Sequence, residues 1–147
     1  MDGNSTHVSG NITKDPELRV LSGDRAVVNF TVARSWYTGE GENRENHVEY
    51  FDCVVWRDLA RHFAASAKKG DRVMVDGILR QRSWEDKTTG DRRYKTEIEV
   101  KELGMSLRWG TAQFTATTGR AAQAQPTPVP VPVPVGAEND IEFEEIF

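Results

Sequence analysis

Residues 47–84 read HVEYFDCVVWRDLARHFAASAKKGDRVMVDGILRQRSW, and the order of elements within them decides the fold. His47–Trp56 alternates as a strand: Phe51, Cys53 and Val55 share one parity, and Tyr50, Asp52, Val54 and Trp56 share the other. Arg57–Lys69 then changes period. Leu59, Ala60, Phe63, Ala64 and Ala67 form an i, i+4 stripe, Lys68 and Lys69 suit a helix C-terminus, and Gly70 stops it. Arg72–Trp84 returns to strand, with Val73, Val75, Gly77 and Leu79 on one face. One helix set between two long strands is the main topological clue.

Working outward, Thr6–Thr13 is a short strand with Val8 and Ile12 on one face, and Gly10 between them marks a bulge or a close backbone approach. Asp15-Pro16 turns the chain, and Glu17–Leu21 is a candidate to pair again. Ala26–Trp36 alternates, with Val28, Phe30 and Val32 inward. Tyr37–Asn46 is polar and Gly-rich and reads as an exposed, mobile loop. On the other side, residues 86–90 form a hairpin loop ending in Gly90, and Arg92–Lys101 is a strand with Tyr94, Ile98 and Val100 on one side. Gly104–Arg108 and Thr111–Thr117 read as two further short strands. Five main strands with a helix between the third and fourth predict an all-β OB-fold, a five-stranded Greek-key barrel closed at one end by the helix, with a C-terminal strand extension. Another small β-barrel is the alternative.

The chain has 147 residues, enough for one domain and an appendage. All 19 Lys and Arg lie within residues 1–120 against 18 of the acids, so the body is near neutral and has room for a basic face. The other five acids sit at the end, which makes the net charge of −4 a property of the tail. Cys53 is the only cysteine, read as a small buried hydrophobe. A lone thiol, a start without a leader pattern and no apolar run near membrane-spanning length fit a cytoplasmic, nucleoid-associated protein with no membrane contact.

Composition divides the chain into a body, residues 1–118, a linker, 119–136, and a tail, 137–147. In the linker an alternating Pro-Val run forbids helix and ladder and leaves a semi-rigid polyproline II spacer. The tail reads as disordered and acidic, yet it ends Asp140-Ile141-Glu142-Phe143-Glu144-Glu145-Ile146-Phe147. Charge alone keeps such a segment solvated, so its apolar residues mark it as a peptide ligand for a partner.

The sharpest site signal lies in Arg72–Trp84. Regular alternation puts Arg80, Arg82 and Trp84 on the face opposite Val75, Tyr50 and Trp56 on the face opposite Phe51, and Arg93 and Lys95 opposite Tyr94. Cations track phosphates and aromatic rings stack on unpaired bases, so this mixture suits single-stranded nucleic acid. Parity puts Trp36 on the core side, so it needs a bulge or a loop position to reach a ligand. Trp109 reads as packing or interface. His7, His47 and His62 are dispersed with no metal-ligand spacing, no phosphate-cradling Gly loop is present, and no Ser or Cys sits in a nucleophile motif. The expectation is a non-enzymatic protein with no cofactor and no metal.

Together these residues resemble bacterial single-stranded DNA-binding proteins of actinobacterial type. The likeness rests on Val8-Ser9-Gly10-Asn11-Ile12 with Asp15-Pro16-Glu17-Leu18-Arg19, and on Val28-Asn29-Phe30-Thr31-Val32-Ala33. It continues in Val54-Val55-Trp56-Arg57-Asp58-Leu59-Ala60, in Gly77-Ile78-Leu79-Arg80-Gln81-Arg82-Ser83-Trp84 and in Gly90-Asp91-Arg92-Arg93-Tyr94. The resemblance implies an OB-fold homotetramer that wraps single-stranded DNA in replication, recombination and repair. Its stacking residues fall on Trp36, Tyr50, Trp56 and Trp84. Tyr50 stands where many members have Trp, and Trp56 where many have Phe, which keeps a π face at both positions. Position nominates Arg34, Arg80, Arg82, Arg93 and Lys95 for the phosphates. Residues 104–117 resemble an actinobacterial elaboration that clamps neighbouring subunits.

The tail departs from the family's usual close, an acidic run ending Asp-Asp-Ile-Pro-Phe. Asp140-Ile141-Glu142-Phe143 resembles that close, but Glu144, Glu145, Ile146 and Phe147 follow it. The resemblance implies that the tail recruits replication, recombination and repair enzymes. Two other readings stay open: an OB-fold interaction protein of replication-restart type, which would be a dimer, and an RNA-binding OB module.

Overall fold

In the computed structural model, residues 3–117 are described. They form β1 (Thr6–Ile12), β2 (Arg19–Leu21), β3 (Arg25–Thr38), β4 (Glu45–Trp56), α1 (Arg57–Ser66), β5 (Arg72–Glu85) and β6 (Arg92–Met105). The sheet order is β1-β5-β6-β4-β3-β2. An added β1–β3 pairing, Asn11 with Ala33 and Ile12 with Val32, closes the five long strands into a barrel. All pairings are antiparallel except β4–β6, where Cys53 lies beside Ile98. This is the expected OB-fold, with α1 between the third and fourth long strands.

Alternation explains the core. Val28, Phe30 and Val32 of β3, Cys53 and Val55 of β4, and Val73 and Val75 of β5 are all buried in one cluster. From α1, Ala60 and Phe63 enter it, and the Phe63 ring meets Phe30 at 4.5 Å between centroids, tilted by 50°. Burying one such ring contributes about 2–3 kcal/mol. Closure requires strands to pass very close at two glycines. A Cβ on Gly10 would strike the Ala33 carbonyl and the Val32 side chain, and one on Gly77 would strike the Glu99 carbonyl and Ile98. Gly10 is therefore the close-approach glycine that its position predicts.

The helix ends earlier than its stripe suggests, at Ser66. Two carboxylates take over the next amides: Lys68 N–H donates to Asp71 and Lys69 N–H to Asp15. Gly70, at φ +92°, turns the chain so that its N–H reaches the Ile12 carbonyl. Lys68 and Lys69 thus belong to a turn stitched to β1. At the helix entry Arg57 adopts φ +63°, a left-handed value uncommon for a side-chain-bearing residue.

Three further expectations need correction. The loop Tyr37–Asn46 is shorter than its composition suggests, because β3 and β4 stay paired through Thr38 and Glu45. The Arg44 guanidinium lies 3.8 Å from the Tyr37 ring and helps hold that ribbon. The two short strands beyond residue 103 are absent: Gly104 and Met105 complete β6, Leu107–Trp109 is a 3₁₀ turn, and residues 111–117 form no strand. The Ser106 hydroxyl accepts from Arg108 N–H and starts that turn. Finally, Leu79 and Tyr94 are exposed although their parity is that of the core, because β5 and β6 run past the barrel rim as a two-stranded ribbon.

Candidate nucleic-acid interface

Directly opposed residues of an antiparallel ladder share a face. In the β5–β6 ladder Trp84 faces Arg93, Arg82 faces Lys95, and Arg80 faces Glu97. Because Cys53 and Ile98 point into the core side by side, Asp52 of β4 and Glu97 of β6 share the outer side. Tyr50 and Trp56 have the parity of Asp52. The outer face of β4–β6–β5 therefore brings together Tyr50, Trp56, Trp84, Arg80, Arg82, Arg93 and Lys95. Three of its rings are open to solvent, with Tyr50 67%, Trp84 48% and Trp56 37% exposed. Trp56 faces Val27 across the ladder, and Val27 and Val54 are buried despite their outward parity.

Trp36 and Arg34 are on the other side of the β3–β4 ribbon. Their partners in register are His47 and Glu49, on the side that continues from Val32 and Phe51. No bulge and no loop frees Trp36. The ladder is regular, but the ribbon outruns the barrel, so its inner side has no core beneath it. Trp36 instead stacks on His47, centroids 5.3 Å apart and planes 22° from parallel, with the Arg34 guanidinium 5.0 Å from the indole. Trp109 is exposed, with Arg108 5.2 Å from its ring. Tyr94, 62% exposed on the β6 ribbon, is an aromatic residue that parity hid by assigning it to the core.

Each nominated cation already holds a carboxylate. Arg34 pairs with Glu49 at 3.0 Å, Arg80 with Glu99 at 2.8 Å, Arg93 with Asp86 at 3.2 Å and Lys95 with Asp52 at 3.3 Å. Arg82 grips Glu97 with two bonds, Nε to Oε1 at 2.9 Å and Nη2 to Oε2 at 3.3 Å. Sequence spacing does not show these pairs, since each joins two strands or the two ends of a hairpin. The Lys101 ammonium first, then Arg80, holds the Glu99 carboxyl below its ordinary value. The Thr88 backbone N–H, with Arg93 adding to it, does the same for Asp86. Burial, reinforced by Asp52 and Glu97, pushes the Cys53 thiol up to about 12, so it is a core residue and no nucleophile.

Among the described residues no group of His, Cys, Asp and Glu is placed to hold a metal ion, and no helix is long and apolar enough to cross a membrane. The candidate partner residues Asp140, Ile141, Phe143, Glu144, Glu145, Ile146 and Phe147, and the Pro-Val spacer, lie outside the described residues.

This geometry has counterparts. A solved structure titled "Plasmodium falciparum SSB complex with ssDNA" is similar at a TM-score of 0.65 over 72% of this chain and 97% of that one, and at 20% identity it supports the fold alone. The chain is 44% identical over 117 residues to the single-stranded DNA-binding protein of Mycobacterium leprae, covering 77% of this chain and 69% of that one. It is 40% identical to the single-stranded DNA-binding protein of Bifidobacterium longum, covering 74% of this chain and 50% of the relative. The pattern that describes the Single-strand binding protein family matches residues 3–106, which contain the whole barrel. By that match and these relatives, the chain belongs to the single-strand binding protein family.

Proposed function

We propose that this chain binds single-stranded DNA without sequence preference and shields it, with no catalytic step. The observation that carries the reading is the outer face of β4–β6–β5, where Tyr50, Trp56 and Trp84 stand exposed among Arg80, Arg82, Arg93 and Lys95. Trp36, with Arg34 beside it, extends the stacking set onto the β3–β4 ribbon. A stacked base contributes about 1–3 kcal/mol whatever its identity, which is what a sequence-tolerant coat needs. The protein works as a homotetramer in replication, recombination and repair.

Its tail recruits the enzymes of those processes. Ile146 and Phe147 enter an apolar pocket on the partner, Asp140, Glu144 and Glu145 meet that pocket's basic rim, and Ile141 with Phe143 forms a second, similar step. The support is the acidic-apolar composition of residues 137–147 beyond a Pro-Val-rich segment.

The deciding experiment is a titration of the full chain with poly-dT at two salt concentrations, read by tryptophan fluorescence beside native mass. Quenching with affinity that falls as salt rises, on a species of four chains, is the expected result. No binding at low salt overturns the reading. Stronger binding to poly-U than to poly-dT favours the RNA module, and a dimer with weak binding favours the restart-type interaction protein.

A further inference from the structure

Each of the five nominated cations already has a carboxylate partner, with which a phosphate must compete. The pairs differ in what departure of the cation would leave behind. Glu99 would keep Lys101 on its Oε1 when Arg80 leaves Oε2. Asp86 would keep the Thr88 N–H on Oδ1 when Arg93 leaves Oδ2. Asp52 would keep the Thr31 hydroxyl on Oδ1 when Lys95 leaves Oδ2. Glu49, with 44% of its side chain exposed, would return to water. Glu97 is the exception: both oxygens are held by Arg82, and its side chain is only 7% exposed.

Exposed ion pairs contribute little, so exchanging one costs little. Stripping a buried carboxylate of its only fork is strongly unfavourable. We propose that the protein binds DNA by partner exchange. Arg34, Arg80, Arg93 and Lys95 pass from their carboxylates to phosphates, whereas Arg82 stays on Glu97 and contacts no phosphate. This rests on the single-stranded DNA reading above and deepens it. The resident carboxylates act as built-in competitors that lower affinity and speed release. Arg82 becomes a positioning residue: its fork ties β5 to β6 along the row that presents Arg80 and Lys95.

The test is a poly-dT titration of the full chain at several salt concentrations. For single strands each phosphate neutralised by the protein adds about 0.7 to the logarithmic salt slope. Arg80→Gln should weaken binding and make the slope shallower by about that amount. Arg82→Gln should leave the slope at its wild-type value. Should Arg82→Gln fail to fold, the double variant Arg82→Leu/Glu97→Leu removes the pair together and should also keep the wild-type slope. Glu99→Gln should tighten binding about threefold at low salt, since one resident competitor is gone. Wild-type binding with equal slope changes for Arg80→Gln and for either Arg82 variant overturns the exchange scheme and leaves the DNA reading intact. Unchanged or weaker binding by Glu99→Gln does the same. Absence of wild-type binding at low salt overturns both.

Discussion

The Trp36 indole lies on the His47 imidazole, 5.3 Å between centroids and 22° from parallel, at the far end of the β3–β4 ribbon. The stack holds the indole by one face at a place where no core exists to hold it. Trp36→Ala should lower poly-dT affinity about tenfold, the value of one stacked base. His47→Ala should cost a smaller factor and make Trp36 more accessible to iodide quenching. Equal affinity for Trp36→Ala and wild type would remove this residue from the binding surface.

Barrel closure depends on Gly10. A methyl group there meets backbone, the Ala33 carbonyl, which cannot rotate away. Gly10→Ala should destabilise the fold by about 1–3 kcal/mol, in the manner of an overpacked core, and lower the urea midpoint accordingly. Gly104→Ala is the control: nothing lies within 4 Å of its added Cβ, and its stability should stay within about 0.5 kcal/mol of wild type.

Cys53 reports unfolding. With its thiol near 12 rather than the ordinary 9.0, the thiolate fraction at pH 8 is about a thousandfold below that of a free cysteine. Iodoacetamide should therefore label the native protein very slowly and the urea-unfolded protein fast. Labelling of the native protein at the free-thiol rate would contradict a buried Cys53.

Acid stability should carry the signature of two carboxylates. Glu99 and Asp86 titrate below their ordinary 4.5 and 3.8 in the folded state. A depressed carboxyl contributes stability that is complete above the unfolded value and is lost as pH falls through the folded value. The urea midpoint should thus show no effect of these groups between pH 7 and about 5, and should fall below about 4.5. The Glu99→Gln/Asp86→Asn variant should show a shallower acid limb. An identical limb in wild type and variant would deny these groups any linkage to folding.

Local patterning determined a great deal by itself. Alternation in residues 47–56 and 72–77 assigns Cys53, Val55, Val73 and Val75 to the core, and the stripe through Phe63 assigns the helix face, because side-chain direction repeats every 2 or 3.6 residues. The aromatic and cationic identities of Tyr50, Trp56, Trp84, Arg80 and Arg82 are likewise written in the chain. Tertiary structure decided what no local period carries. Alternation names two sides of a strand but not whether a second layer covers either one, so Leu79, Tyr94 and Trp36, all of core parity, emerge beyond the rim. The carboxylate under each nominated cation belongs to the same class of fact. Arg82 meets Glu97 only because β5 and β6 lie in one register, and Lys95 meets Asp52 only because β6 returns parallel to β4. Such pairs form across strand ladders or across a hairpin, so they exist only once the strands have paired in register.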